Sequence, residues 1–309
     1  MIYFIRKNLL LGVFILSLST AKSQTDVDGI MMAKRNLCSE VTYSQASWNH
    51  YWEGSFFRIN ENLGKVSTTS IGIMSNYGIS DRFNILFGLP YVSTKATAGT
   101  LHPMKGIQDL SFAAKYKFLY REIKDIHFSF IGVAGVSAPM SKYTPDFLPL
   151  SIGLHSKTAS ARVILDAEYN DFFATLCGAY IYRSNVQLDR KSYYTTELHN
   201  TDMVQMPNVW NSQLRVGYRK DQLLLEIFAD KMNTMGGFDI RKNDMPFVSN
   251  NMDATKLGAH VKIPIPKTNG LGLVGSSAYT VKGRNVGQTF QYMAGLFYIA
   301  EFREKGAAK

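Results

Sequence analysis

Apolar and polar residues alternate one for one over long runs of this chain, most clearly between Val66 and Lys117. Phe83, Ile85, Phe87, Leu89 and Tyr91 fall on one face of a run whose other face carries Arg82, Asn84, Leu86 and Gly88. Further on, Leu110, Phe112, Ala114, Tyr116 and Phe118 oppose Asp109, Ser111, Ala113, Lys115 and Lys117. Side chains of a strand point alternately to its two faces, so a period of two means strands with unlike faces. The runs are long, and a strand crossing a bilayer needs roughly 9–11 residues against the ~5–6 common in soluble sheets.

Carried along the chain, the pattern predicts twelve strands. They lie near Cys38–Trp48, Val66–Tyr77, Arg82–Thr94, Ile107–Leu119, Asp125–Ser137, Leu150–Leu165, Asp171–Arg183, Trp210–Arg219, Gln222–Met232, Asp253–Pro264, Gly270–Val281 and Phe290–Phe302. The sixth changes parity, because Leu150, Ile152 and Leu154 share one face while Ala161, Val163 and Leu165 share the other; a β-bulge near Lys157–Ser160 would restore it. Connections alternate between short turns, such as Tyr77–Arg82 and Tyr120–Lys124, and long polar loops, such as Ser184–Pro207 and Thr234–Met252. Short turns on one side and long loops on the other belong to outer-membrane barrels. The expected fold is all-β: a transmembrane antiparallel up-and-down β-barrel of about 12 strands, with 10–14 compatible with the weaker segments. Aromatics near predicted strand ends, among them Tyr77, Tyr91, Tyr116, Tyr120, Tyr218, Tyr279 and Phe302, suit the girdles at a membrane interface.

The first 23 residues read differently. Arg6 and Lys7 precede the apolar run Leu9–Leu16, and Ala21 and Ser23 supply the small residues of a cleavage site, so 1–23 reads as a secretory signal peptide. Residues 24–37 then form a short periplasmic lead-in, 38–302 the barrel and 303–309 a C-terminal tail. Without the leader the chain has 31 basic and 24 acidic residues, a net charge of +7. Lys and Arg are scattered, not clustered, which argues against nucleic acid and for anionic lipopolysaccharide or anionic solutes. The expected surroundings are outer-membrane lipid, lipopolysaccharide and the barrel-insertion machinery. Cys38 and Cys177 do not make a disulfide framework, and neither has the neighbours of a metal site.

Three phrases carry a family resemblance: Gly78-Ile79-Ser80-Asp81-Arg82-Phe83, Gly88-Leu89-Pro90-Tyr91 and Gly106-Ile107-Gln108-Asp109-Leu110-Ser111. They resemble the outer-membrane channel family of the MetA pathway of phenol degradation, whose members are often named simply transporter. The resemblance implies a barrel through which small solutes cross the outer membrane, aromatic or apolar ones among them. The leader ending Ala-Lys-Ser and the Tyr- and Asn-rich loops also look like those of exported Bacteroidetes proteins.

If the aromatic face meets lipid, the opposite face lines a lumen. That assignment places Arg82, Lys115, Lys117, Arg215, Arg219, Lys256 and Lys262 inside with Asp109, Glu226, Asp230 and Glu301, a mild excess of cations that would favour anions. The plainer alternative is that these charges pair and fill the barrel. No catalytic residues are assigned: of the histidines, His127 and His260 face inward and His50, His102 and His199 sit in loops, and no G-x-S-x-G nucleophile motif accompanies them. No cofactor is expected. The reading is a non-enzymatic channel for small solutes; the alternatives are an interaction barrel of an assembly such as a secretion machine and, behind it, a barrel lipid hydrolase.

Overall fold

A computed structural model describes residues 25–242 and 244–302; the expected signal peptide and C-terminal tail lie outside them. Twelve long antiparallel strands form a closed wall: β1 (Asn36–Trp48), β2 (Val66–Ser80), β3 (Phe83–Ala96), β4 (Asp109–Ile123), β5 (Ile126–Pro139), β6 (Thr158–Tyr169), β7 (Phe172–Arg183), β8 (Asn208–Lys220), β9 (Leu223–Met235), β10 (Asp253–Pro264), β11 (Leu271–Arg284) and β12 (Phe290–Glu301). Each strand pairs with its neighbours in sequence, and β1 pairs with β12 from Asn36↔Glu301 to Ser47↔Phe290. The short strand Lys105–Ile107 continues the line of β4 along β3, with Gln108 between the two pieces. A closed ladder leaves no unpaired edge, which is why barrels and helices alone can cross hydrocarbon.

The alternation sorts as the pattern predicts. Ile71, Ile73, Tyr77, Ile85, Phe112, Phe118, Leu165, Leu176, Ile227, Leu257 and Leu296 are exposed on the outside. Asn76, Asn84, Lys115, Asp166, Thr175, Arg219, Glu226 and Lys262, from the other parity, are buried inside. A soluble barrel would have these reversed; apolar outside and polar inside is the membrane arrangement. At the end of the barrel with short turns, Tyr169, Phe172 and Tyr218 flank the turns, with Phe172 and Tyr218 in edge-on contact at 5.5 Å.

Turn chemistry explains the connections. Lys124 and Asp125 both take positive φ, 47° and 64°, as a two-residue hairpin that follows the strand twist requires. Asn170 and Asp221, at 52° and 51°, open the next two turns; Asn and Asp tolerate that region best among residues with a Cβ. At the opposite end, the aromatic stretch after β1 folds into a small hairpin, His50–Glu53 with Phe56–Ile59.

One expected strand is shorter than its pattern. Leu150–Lys157 is not part of the wall, and β6 begins at Thr158. Leu150 packs with Leu63 and Val66, and Ile152 with Val92 and Tyr143, under the mouth of the barrel. The parity change therefore marks a loop with its own buried side chains and not a bulge. Bulges occur instead at Gly78/Ser80, Lys117/Leu119 and Thr255/Lys256.

Candidate functional site

The lead-in expected ahead of the barrel runs into it. Residues Thr25–Arg35 enter at the short-turn end and cross the interior. Met32 is fully buried among Cys38, Val274, Phe297 and Ile299 on one side of the wall. Met31 packs on the other side, against Ile131, Val133, Ile164 and Cys177. Backbone groups of the segment are paired as well: Asn84 accepts from the Met32 N–H at 3.0 Å and donates to its carbonyl at 3.0 Å. Asp81 accepts from the Lys34 N–H at 2.9 Å. Gly29 lies so close to Asp166 that a Cβ there would sit 2.0 Å from its carboxyl carbon, so the crossing demands glycine at that point.

The charges of the interior organise around this segment. Lys115 is wholly buried, and its ammonium donates to Asp28 Oδ1 at 2.9 Å and to the carbonyls of Thr25 and Asp28 at 2.9 and 2.8 Å. All three protons of the ammonium are used. Asp28 in turn accepts from the N–H of Thr25 at 2.5 Å, from its hydroxyl at 2.8 Å, and from the N–H of Ile30 at 3.0 Å. Arg162 meets Asp26 at 3.1 Å, and Lys262 meets Glu40 at 3.3 Å. Arg219 places Nη2 3.1 and 3.2 Å from the two oxygens of Asp166, brings Nε 3.3 Å from Glu168, and lies 4.1 Å over the ring of Phe173. Arg215 pairs with Glu226 and lies 5.1 Å over Phe228.

The buried cations of the interior are paired. Lys115, Arg162, Arg215, Arg219 and Lys262 each face an acid, and the acids include Asp26, Asp28, Glu40, Asp166 and Glu168, which the alternation of the clearest strands did not single out. Buried charges are tolerable only when paired and hydrogen-bonded, which accounts for these pairs.

The other candidate residues fall in different places. Arg82 is exposed at the turn between β2 and β3. Lys117 lies beside a cavity of about 440 Å³ at the short-turn end, which also touches Met31, Tyr120, His127, Glu168 and Arg219. His127 there is 2.8 Å from the Tyr120 hydroxyl and 3.6 Å from Glu122. Asp109, at the far end of β4, accepts from the Tyr143 hydroxyl at 2.8 Å. Asp230 accepts from Asn211 at 3.1 Å and Gln213 at 3.0 Å, and Lys256 stands opposite it in the ladder. Glu301 is exposed at the end of β12. Cys38 and Cys177 are buried in separate clusters and are not joined by a disulfide.

The long loops close over the other end. Val186, Leu188, Tyr193, Val204 and Met206 from the loop after β7 share a cluster with Val248 from the loop after β9. Asp239, Arg284 and Asn285 bind three loops together: Arg284 reaches both oxygens of Asp239 at 2.8 and 2.6 Å, and Asn285 accepts from the N–H groups of Gly54 at 2.8 Å and Ile240 at 3.0 Å.

No family model and no curated protein matches this chain, so the resemblance to the phenol-degradation channel family has no support from those comparisons. Solved structures do match. The chain is similar to the COG4313 outer membrane channel from Pseudomonas putida F1, at 15% identity and a TM-score of 0.70, over 90% of this chain and 100% of that one. It also matches the NanC porin at 10% identity and a TM-score of 0.46, over 84% and 98% of the two chains. The translocator domain of the autotransporter NalP from Neisseria meningitidis matches at 10% identity and a TM-score of 0.43, over 88% and 90%. At such identities the likeness is one of fold, and the fold is that of an outer-membrane channel barrel.

Proposed function

We propose that this protein is an outer-membrane channel for small solutes, held closed in the present conformation by its own N-terminal segment. The observation that carries the reading is the crossing of the interior by Thr25–Arg35, anchored by Lys115 on Asp28 and by Met32 on the inner wall. A barrel that served only as a scaffold would fill its interior with side chains from the wall itself. A polar, paired interior crossed by one separable strand of chain suits a path that can be cleared. The likeness to an outer membrane channel over the whole of that protein supports the location and the channel class.

The solute stays small on this reading. Twelve strands stand between the side-chain-filled eight-stranded barrels and the open sixteen-stranded porins. Even with the segment displaced, the inward side chains of Arg215, Arg219 and Lys262 remain on the wall.

Planar-bilayer recording of the full chain tests the proposal. Expected are rare, brief openings for the native chain and frequent ones for Lys115→Met, which removes the donor that holds Asp28. Absence of conductance from both, in protein shown to be folded by its heat-dependent gel mobility, overturns it.

A further inference from the structure

On the side of the plug away from the short turns, the wall of the interior changes character. Gly88, Ser111, Gly135, Ser137 and Ser160, from the successive strands β3 to β6, line a cavity of about 260 Å³. Ser111 is exposed although it lies on the inward parity, so the space is open to solvent there. The hydroxyls of Ser111 and Ser160 are within 3.2 and 3.4 Å of wall carbonyls, and that of Ser137 is 2.7 Å from Thr158, which leaves their oxygens able to accept. Asp26 and Arg162 also border the cavity.

Arg162 differs from the other interior cations. Lys115, Arg219 and Arg215 hold acids that are themselves buried or nearly so, whereas the Asp26 side chain is 47% exposed against 11% for Arg162. Asp26 takes the guanidinium through Nη2 alone, and Nη1 is buried with no nitrogen or oxygen acceptor among the described residues, the weakly accepting Cys177 thiol being the other polar neighbour of the guanidinium. A guanidinium presents paired N–H groups that fit a carboxylate side-on, and this one is half used.

We propose that the cavity is a binding site for small hydroxylated carboxylates, with Arg162 as the anchor and Asp26 as a built-in competitor that the ligand displaces. The inference rests on the channel reading above. The exchange swaps one carboxylate for another, so no unpaired charge is left on Arg162, and the incoming group satisfies Nη1 as well as Nη2. The ligand's hydroxyls meet Ser111, Ser137 and Ser160. Loss of the Asp26 contact also removes one charged tie of the N-terminal segment, with Asp28 still on Lys115, so the solute that binds here loosens the plug in its path.

Liposome swelling with gluconate and sorbitol tests this, since the two share a six-carbon hydroxylated chain and differ by the carboxylate. The readout is the ratio of the two rates in vesicles from one preparation, which cancels the amount of channel inserted and carries both the binding and the loosening of the plug by the carboxylate. For the native chain gluconate is expected to lead by about tenfold, the equivalent of one charge-assisted hydrogen bond. Arg162→Gln is expected to bring the ratio to parity, Arg162→Lys to an intermediate value, and Asp26→Asn to raise it. A ratio unchanged from the native chain in all three variants, each folded by gel mobility, overturns the site. If neither solute enters vesicles carrying the native chain or Lys115→Met, it is the channel reading itself that falls.

Discussion

The Lys115 ammonium, on β4, lies 2.9 Å from Oδ1 of Asp28, a residue of the segment that precedes β1. Both groups are buried, and the pair ties the barrel wall to the chain that crosses it. Removing one partner of a buried ion pair costs about 3–5 kcal/mol, because the other charge is left without compensation. Lys115→Met and Asp28→Leu are each expected to release the segment and raise open probability in bilayer recordings. The double variant, which leaves no orphaned charge, is expected to close more often than either single one.

The apolar anchor makes an independent contribution. Met32→Ala opens space among Cys38, Val274, Phe297 and Ile299, and large-to-small changes at such sites cost about 2–5 kcal/mol. The expected outcome is longer openings with an unchanged fully open conductance, because the wall is untouched. Single-channel dwell times distinguish this from a change of pore size.

The loop latch at Asp239 predicts an acid response. Hydrogen bonding from Arg284 holds the Asp239 carboxyl below its ordinary value of 3.8, against partial burial, which acts the other way. A depressed carboxylate contributes stability that is present above pH 3.8 and is lost as pH falls through its lower value in the folded protein. Amide exchange at Gly54 and Ile240, both bonded to Asn285 beside the latch, is expected to quicken only below that pH. In Asp239→Asn the same amides should exchange fast at neutral pH, with no further rise on acidification.

The outer face offers a test of the membrane assignment. Leu176 is exposed near the middle of β7, and Arg at the bilayer midplane of a barrel costs about 2–4 kcal/mol. Leu176→Arg is expected to lower unfolding stability in vesicles by that amount. The same change measured in detergent micelles, where the charge reaches water more easily, should cost less.

Much of the wall was legible from parity alone. Phe83 to Tyr91 and Leu110 to Phe118 fall outside as their alternation requires, because one face of each strand meets hydrocarbon and the other does not. Loop-borne burial was not legible in that way. Leu150 and Ile152 continued an apparent strand, yet they serve the mouth of the barrel, where apolar residues at period two also suit an extended loop. The plug was harder still. Its eleven or so residues carry no period, and its partners Asn84, Lys115 and Phe297 lie far away in sequence. A signal was present nonetheless: Phe297 and Ile299 are large apolar side chains on the inward parity of β12, and Met31-Met32 are the apolar residues of a polar lead-in that can cover such positions.

The seam between β1 and β12 has a mechanical consequence. A hoop whose every stave is bonded to two neighbours has a fixed circumference; widening it would break a whole ladder, here Asn36↔Glu301 through Ser47↔Phe290, at once. The aperture therefore cannot be adjusted by the wall. On the channel reading proposed above, throughput is set by what is threaded through the hoop, and a few residues ahead of the first stave act as its valve.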